Sequence, residues 1–415
     1  MRNYGMPASQ AVAPEKQQLK NLTSGGLRFS QWLTALVVTG TMSRLPNKRT
    51  TKRAIQPMNK ESVMAILAEI NDDNSGRDLV SAGAVREVGI HEDRVSVDIR
   101  LGYPLADQGE ALASAIKTSL ESDPGINVAN VAISIKVVPH KVQEDLKPLP
   151  SITNIIAVGS GKGGVGKSTT AVNLALALQR EGARVGLLDA DIYGPSIPAM
   201  LGVKGQPSTD GEHIIPKEAH GLKVMSIGFL VDEESAMIWR GPMVTSALQQ
   251  LLGDTLWGPL DYLVIDLPPG TGDIQLTLAQ RIPVAGAVIV TTPQDIALLD
   301  ARRALHMFRK VDVPVLGVVE NMSTHICTAC GHEEAIFGKG GGEQMAIDFE
   351  IPLLGQLPLA MEIRSSLDEG NPTVVNHPDS PLAASYRSLA LRTAGELSVQ
   401  PRSMVMQMPE IVIQN

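Results

Sequence analysis

Apolar residues recur at helical spacing from Glu61 to Ile70 (Val63, Ile66, Leu67, Ile70), which predicts a helix, and alternate from Arg94 to Leu101, which predicts a half-buried strand. The same two patterns follow once more, as a helix over Gly109–Leu120 and a strand over Val131–Val137. These four segments predict a small α+β domain over residues 58–140. The stretch 141–151 contains Lys147-Pro148-Leu149-Pro150 and reads as a proline-stiffened linker. From Ile152 the texture changes. Continuous apolar runs at Asn154–Val158, Arg184–Leu188, Tyr262–Ile265, Gly286–Thr291 and Val315–Val319 are separated by helical stretches, of which Thr169–Arg180 is the clearest. Strands buried on both faces and alternating with helices predict a doubly wound, mostly parallel α/β sheet over residues 152–400, followed by a tail at 401–415.

The 415 residues are 43% hydrophobic and 19% charged, enough to fill two cores, so a disordered chain is excluded. Only 3% are aromatic, which favours an aliphatic parallel sheet over a surface that stacks bases. The formal net charge is −8, yet nine basic residues and one acid (Glu15) precede Met58, so the body of the chain is the acidic part. Nucleic acid and anionic membrane reward clustered Lys and Arg, and neither is expected as a partner. No run approaches the roughly 18 consecutive apolar residues of a membrane span, and Leu33–Thr39 lacks the surroundings of an export signal. A cytoplasmic location is expected. Residues 1–57 show no sustained periodicity; an upstream extension before a start at Met58, a disordered basic arm, or a transit peptide all fit.

The chemistry concentrates after the first buried run. Gly161-Lys162-Gly163-Gly164-Val165-Gly166-Lys167-Ser168 matches G-x-x-x-x-G-K-[ST] between a strand and a helix beginning near Thr169. Glycines let successive N–H groups curl around phosphate oxygens at a helix N-terminus. Lys167 is placed to reach the β- and γ-phosphates of ATP, and Ser168 to bind Mg²⁺. Asp189 and Asp191 follow one buried strand, and Asp266 closes another, where parallel sheets collect ligands. Asp266 fits the acid that holds Mg²⁺ through its water shell.

The chain's two cysteines, Cys327 and Cys330, stand three positions apart. A tetrahedral zinc or an iron–sulfur cluster wants about four ligands, so one chain supplies half of a set, and a second copy completes it most economically. A redox dithiol and a pair of buried packing residues are the other readings of this spacing.

The second lysine of the loop, Lys162, makes Gly-Lys-Gly-Gly-Val-Gly-Lys-Ser-Thr resemble the deviant Walker A motif of MinD, ParA and nitrogenase-iron-protein ATPases. That resemblance implies that Lys162 crosses a dimer interface to the partner's nucleotide, that Asp191 orients the attacking water and that Asp189 supports the Mg²⁺ region. It also implies that Asn321 and Pro293-Gln294-Asp295 approach the adenine or the switch region. Asp189-Ala-Asp-Ile-Tyr-Gly-Pro-Ser196, Trp239-Arg-Gly-Pro-Met243, Asp261–Asp273, Glu320-Asn-Met-Ser323, the cysteine pair and Phe337-Gly-Lys-Gly-Gly-Gly342 further resemble the Mrp/ApbC family of iron–sulfur cluster carrier ATPases. The family implies a [4Fe–4S] cluster bridged between the subunits of a homodimer and passed to apo-proteins, with scaffold proteins as further partners, and ATP hydrolysis coupled to loading or transfer. Gly76-Arg-Asp-Leu-Val-Ser81 is similar to the MIP18-type domain that accompanies such carriers. Many of those domains carry a reactive cysteine where this chain has Gly102-Tyr103-Pro104, so partner recognition is the expected task of the small domain. The competing expectation is a MinD/ParA-like positioning or switch ATPase whose cysteines hold a structural zinc.

Overall fold

The structure is a computed structural model that describes residues 59–106, 108–230, 241–327 and 329–403. The readings for residues 1–58, for Trp239 and Arg240 and for 404–415 lie outside the described residues.

The N-terminal part begins with α1 (Lys60–Ala68), which starts where Asn59 accepts the Ser62 N–H at 2.8 Å, an N-cap that satisfies an otherwise unpaired donor. Val63 and Leu67 are the buried side chains of this helix. Strands β1 (Val85–His91), β2 (Arg94–Leu101) and β3 (Val128–Ile135) form a sheet in that order, β1 antiparallel and β3 parallel to β2. The parallel step needs a crossover, which α2 (Gly109–Glu121) supplies. Strand β2 keeps the bounds its alternation predicts, with Val95, Val97, Ile99 and Leu101 buried. The strand expected at 131–137 begins three residues earlier, because its in-register pairing with β2 runs from Arg94↔Val128 to Leu101↔Ile135.

The larger part is wound from β4 (Ile152–Ser160), α3 (Lys167–Arg180), β5 (Val185–Asp189), β6 (Lys217–Ala219), β7 (Leu222–Ser226), α4 (Gly241–Gly253), β8 (Leu260–Asp266), α5 (Asp273–Arg281), β9 (Gly286–Thr291), α6 (Asp295–Lys310), β10 (Val315–Ile326), β11 (Glu333–Glu334), α7 (Gly341–Phe349), β12 (Leu353–Leu359), α8 (Met361–Asp368) and α9 (Pro381–Ser398). Among the described residues the sheet runs β11-β10-β9-β4-β8-β5-β7-β6, with β12 also on β10. Only the short edge strands β6 and β11 are antiparallel to their neighbours. Strand β4 is central, and all of it except Thr153 is buried, as expected for a strand covered on both faces. Parallel register brings the carboxyl ends of β4, β8 and β5 to one edge, where Asp266 stands level with both Val158 and Asp189. No helix among the described residues is long and apolar enough to cross a membrane.

The proline-containing segment is strapped to the larger sheet. Gln143 is buried and bonds Ala279 O (2.6 Å), Ile282 O (3.1 Å) and Val284 N (3.1 Å), while the His140 backbone N–H donates to Asn154 at 3.0 Å. Glu181, after α3, joins the two parts: it holds Arg387 of α9 at 2.7 Å and accepts the Ala106 N–H at 3.2 Å. Helix α9 also lies so close to the 71–78 loop that a Cβ on Gly395 would sit 2.3 Å from Asn74 O.

In the same contact, burial raises the Glu396 carboxyl to about 7, with Asp72 adding to the rise and Arg77 opposing it. A raised acid binds its proton more tightly folded than unfolded, so this contribution to stability is lost as pH climbs from the ordinary carboxylate range through about 7. The slope is at most about 1.4 kcal/mol per pH unit for one proton. Glu396→Gln is therefore expected to flatten the decline in thermal midpoint between about pH 5 and 7. An unchanged profile would show that Glu396 titrates normally.

Candidate functional site

The loop between β4 and α3 is shaped by glycine at three places. Gly164 and Gly166 adopt φ of 79° and 83°, the left-handed region that other residues resist. Gly161 lies against α6 so tightly that a Cβ there would be 2.1 Å from the Asp300 carbonyl carbon and oxygen, which are backbone and cannot yield. Gly161→Ala is accordingly expected to push the loop off α6 and weaken ATP binding by tenfold or more, on the order of the 1–3 kcal/mol of an overpacked contact; unaltered affinity by calorimetry would show that the loop accommodates the methyl. Gly163 has open space around it. Ser160 Oγ closes the first turn by donating to Lys162 O at 2.9 Å. Val165 is buried beneath the loop, and Thr169 continues α3 with its carbonyl accepting from Asn173.

Lys167 and Ser168 open α3 and turn into an acidic cluster. Lys167 Nζ is 2.7 Å from Asp266 Oδ1 and 3.3 Å from Asp191 Oδ2, and Ser168 Oγ donates to Asp266 Oδ2 at 2.5 Å. Asp266 is fully buried; burial raises its carboxyl above the usual range while Lys167 and Ser168 pull it back. Asp189 is also fully buried, and burial, with the charge of Asp266 next, pushes it up to about 7. It is held by Ser226 Oγ at 3.0 Å and by the N–H groups of Asp191 and Ile197, both at 3.2 Å. Asp191 bends the chain by accepting the Tyr193 N–H at 3.2 Å. The fold thus brings Lys167, Ser168, Asp189, Asp191 and Asp266 together. Lys162 stands apart, half-buried, and its ammonium has no carboxylate partner among the described residues.

Asn321, at a bulge in β10, donates its amide to Val165 O at 2.9 Å, and a Cβ on Gly166 would collide with that same amide. In this structure it braces the loop from below. The next residue, Met322, has a φ of 56°, backbone strain of the kind that gathers at functional sites. Gln294 caps α6, and Asp295 is its first residue.

Strand β10 stays paired to its last residue, Ile326, at the edge that carries the loop, and leads directly into Cys327. The pair caps a tight hairpin in which Cys327 N donates to His332 O at 2.9 Å and Gly331 N donates to Cys327 O at 2.8 Å. Both thiols are free, Cys330 exposed and Cys327 partly so. N–H groups of Ala329 and Cys330, together with the Cys330 side chain, hold the Cys327 thiol below its usual range, which favours the thiolate that ligates metals. No group of three or more metal-ligating His, Cys, Asp or Glu side chains exists among the described residues.

Sequence reasoning assigned no role to three further buried residues near the site. Ser226 locks Asp189. Glu320, fully buried, accepts the Gly342 N–H at 2.5 Å and the Gln356 amide at 2.9 Å, so it ties β10 to the start of α7 and accounts for the glycines there, since a Cβ on Gly342 would press into Glu320. Gln275 is buried beside Gly159 with both amide atoms unpartnered among the described residues.

Residues 151–394 match the family described as the NUBPL iron-transfer P-loop NTPase, and residues 60–133 match the iron-sulfur cluster assembly protein family. The chain is 51% identical over 340 residues to an iron-sulfur cluster carrier protein of Haemophilus influenzae, covering 81% of this chain and 92% of that one. It is also 51% identical over 337 residues to an iron-sulfur cluster carrier protein of Escherichia coli strain K12, covering 81% and 91%. Among solved structures, a nucleotide-binding protein of Archaeoglobus fulgidus in complex with ADP is similar at 38% identity and a TM-score of 0.50, over 56% of this chain and 91% of that one.

Proposed function

The chain belongs to the NUBPL iron-transfer P-loop NTPase family, and on that premise we propose that it is an ATP-dependent carrier that binds an iron–sulfur cluster between two copies of itself and delivers it to apo-proteins. One observation carries the shared cluster. The hairpin displays two thiols at the edge of the sheet, and the described residues offer no third ligand nearby. Thiolate-held clusters want about four ligands, so a second copy supplies the missing two. The cluster is cargo, of the [4Fe–4S] type in this reading.

ATP hydrolysis is the chemistry. The loop N–H groups cradle the triphosphate, and Lys167 exchanges its carboxylate partners for the β- and γ-phosphates. Ser168, whose hydroxyl now donates to Asp266, would offer its oxygen to Mg²⁺, with Asp266 holding the ion through its water shell. When bound, that ion neutralises phosphate charge. Asp191 orients the attacking water, Asp189 keeps the 189–197 turn in place, and Lys162, with no acid to hold it, reaches the nucleotide of the other copy. Catalysis by positioning of this kind needs no covalent intermediate.

The test is transfer. Protein loaded anaerobically with iron and sulfide is mixed with an apo iron–sulfur enzyme, and recovery of that enzyme's activity is followed with and without ATP. A carrier restores activity as its own visible absorbance falls. Bound zinc, with no restoration, would instead identify a positioning or switch ATPase with a structural metal.

A further inference from the structure

A cleft of about 170 Å³ lies where the N-terminal sheet meets the end of α9, and neither the loop nor the cysteines contribute to its lining. Four cations from four separate segments line it: Arg86, Arg100, Lys136 and Arg402. Their convergence is built by the backbone. Arg86 sits at a register shift between Val85 and Glu87 in the β1–β2 pairing, and bulges of this kind re-aim a side chain. The Arg100 N–H donates to Ala84 O at 2.7 Å, Lys136 N–H to Leu101 O at 2.9 Å, and Arg402 is brought in by its antiparallel bridge to His140.

None of the four cations has a carboxylate partner among the described residues, although like charges gathered around one cleft repel one another; Arg100 is half-buried and the other three are exposed. The one acid in the lining, Asp72, is buried and already accepts from Tyr103 Oη at 2.8 Å and Asn74 N at 3.0 Å. A second observation points the same way. Ser75 lines the cleft, is 1% exposed, and its Oγ has no hydrogen-bond partner among the described residues. A buried hydroxyl without a partner costs free energy, and here it adds a donor to a ring of donors.

We propose that this cleft binds a small oxyanion of the phosphate type, held by Arg86, Arg100, Lys136 and Arg402 with Ser75 Oγ donating, and that occupancy fastens the N-terminal part to the end of α9. Apart from Asp72, whose carboxylate already accepts two hydrogen bonds, the charged groups of the lining are all cations, and the cleft's volume of about 170 Å³ suits one phosphate group better than a peptide. Guanidinium forks favour phosphate because they bond two oxygens at once. Binding here is independent of the ATP-site reading.

The experiment uses the full chain with its nucleotide loop saturated by a non-hydrolysable ATP analogue and Mg²⁺, so that inorganic phosphate cannot enter that site. Phosphate is titrated calorimetrically at constant ionic strength held with chloride. One phosphate per chain is expected. Arg100→Gln and the more exposed Lys136→Gln should each weaken it about tenfold, the loss of one charge-assisted contact. Ser75→Ala should weaken it several-fold while leaving the phosphate-free thermal midpoint unchanged or raised, since it removes a hydroxyl that has no partner. No saturable binding, or binding unchanged in both Arg100→Gln and Lys136→Gln, would overturn the proposal. Equal binding of chloride would overturn it as well.

Discussion

Cys327→Ala protein, reconstituted anaerobically with ferrous iron and sulfide, is expected to carry no cluster and yet to bind ATP as tightly as the unaltered chain. A cluster bridging two copies loses two of its four thiolates with each single substitution, because the change appears in both chains. Ligation by thiolates is what fastens a cluster to protein, so the effect is loss and not attenuation. Cys330→Ala should behave alike. ATP binding is spared because the hairpin cysteines share no hydrogen bond or ion pair with Lys167, Ser168 or the acids around them. Neither thiol is buried, so folding should barely change. Iron and sulfide retained at the unaltered level in either variant would exclude the cysteines as ligands.

Lys167→Ala is expected to lower ATP affinity by about a hundredfold or more, since charge-assisted hydrogen bonds to phosphate contribute about 1.5–3 kcal/mol each and this ammonium makes more than one. The same change removes the counter-ion of two nearly buried acids, Asp266 and Asp191. Asp266, whose carboxyl burial already raises, should answer by keeping its proton, which limits the loss of stability. A thermal midpoint measured beside the titration separates lost binding from lost fold. Lys162→Ala gives the contrast. It should bind ATP but not hydrolyse it, and mixing it with Asp191→Ala chains should restore part of the activity if the lysine acts on the other copy. Absence of recovery in verified mixed dimers would remove support for action across the interface.

What was legible in the sequence followed from how local each signal is. Gly161–Ser168 announces its shape because its glycine positions and its lysine are contiguous, and Gly286–Thr291 reads as a strand because burial on both faces leaves no polar interruption. Strand β1 was not anticipated, since its half-exposed Val-Arg-Glu-Val-Gly-Ile alternates poorly and a bulge breaks its register. Edge strands β6 and β11 have two or three residues and no pattern to read. At the site, the acids were visible as strand-end residues, whereas Ser226 and Glu320 owe their roles to partners 37 and 22 positions away. Asn321 was recognisable as a motif residue, but its bond to Val165 O depends on β10 passing beneath the loop. The cationic cleft was the least legible, because Arg86, Arg100, Lys136 and Arg402 come together only through a bulge, a strand register and a terminal bridge.

The central claim, one cluster held by two chains, is tested most directly by native mass spectrometry of the anaerobically reconstituted protein, with iron and sulfide assayed on the same sample. A dimer carrying one cluster of about four irons, absent from any monomer peak, is the predicted result. Iron and sulfide bound to single chains, or a dimer that holds only zinc, would contradict it.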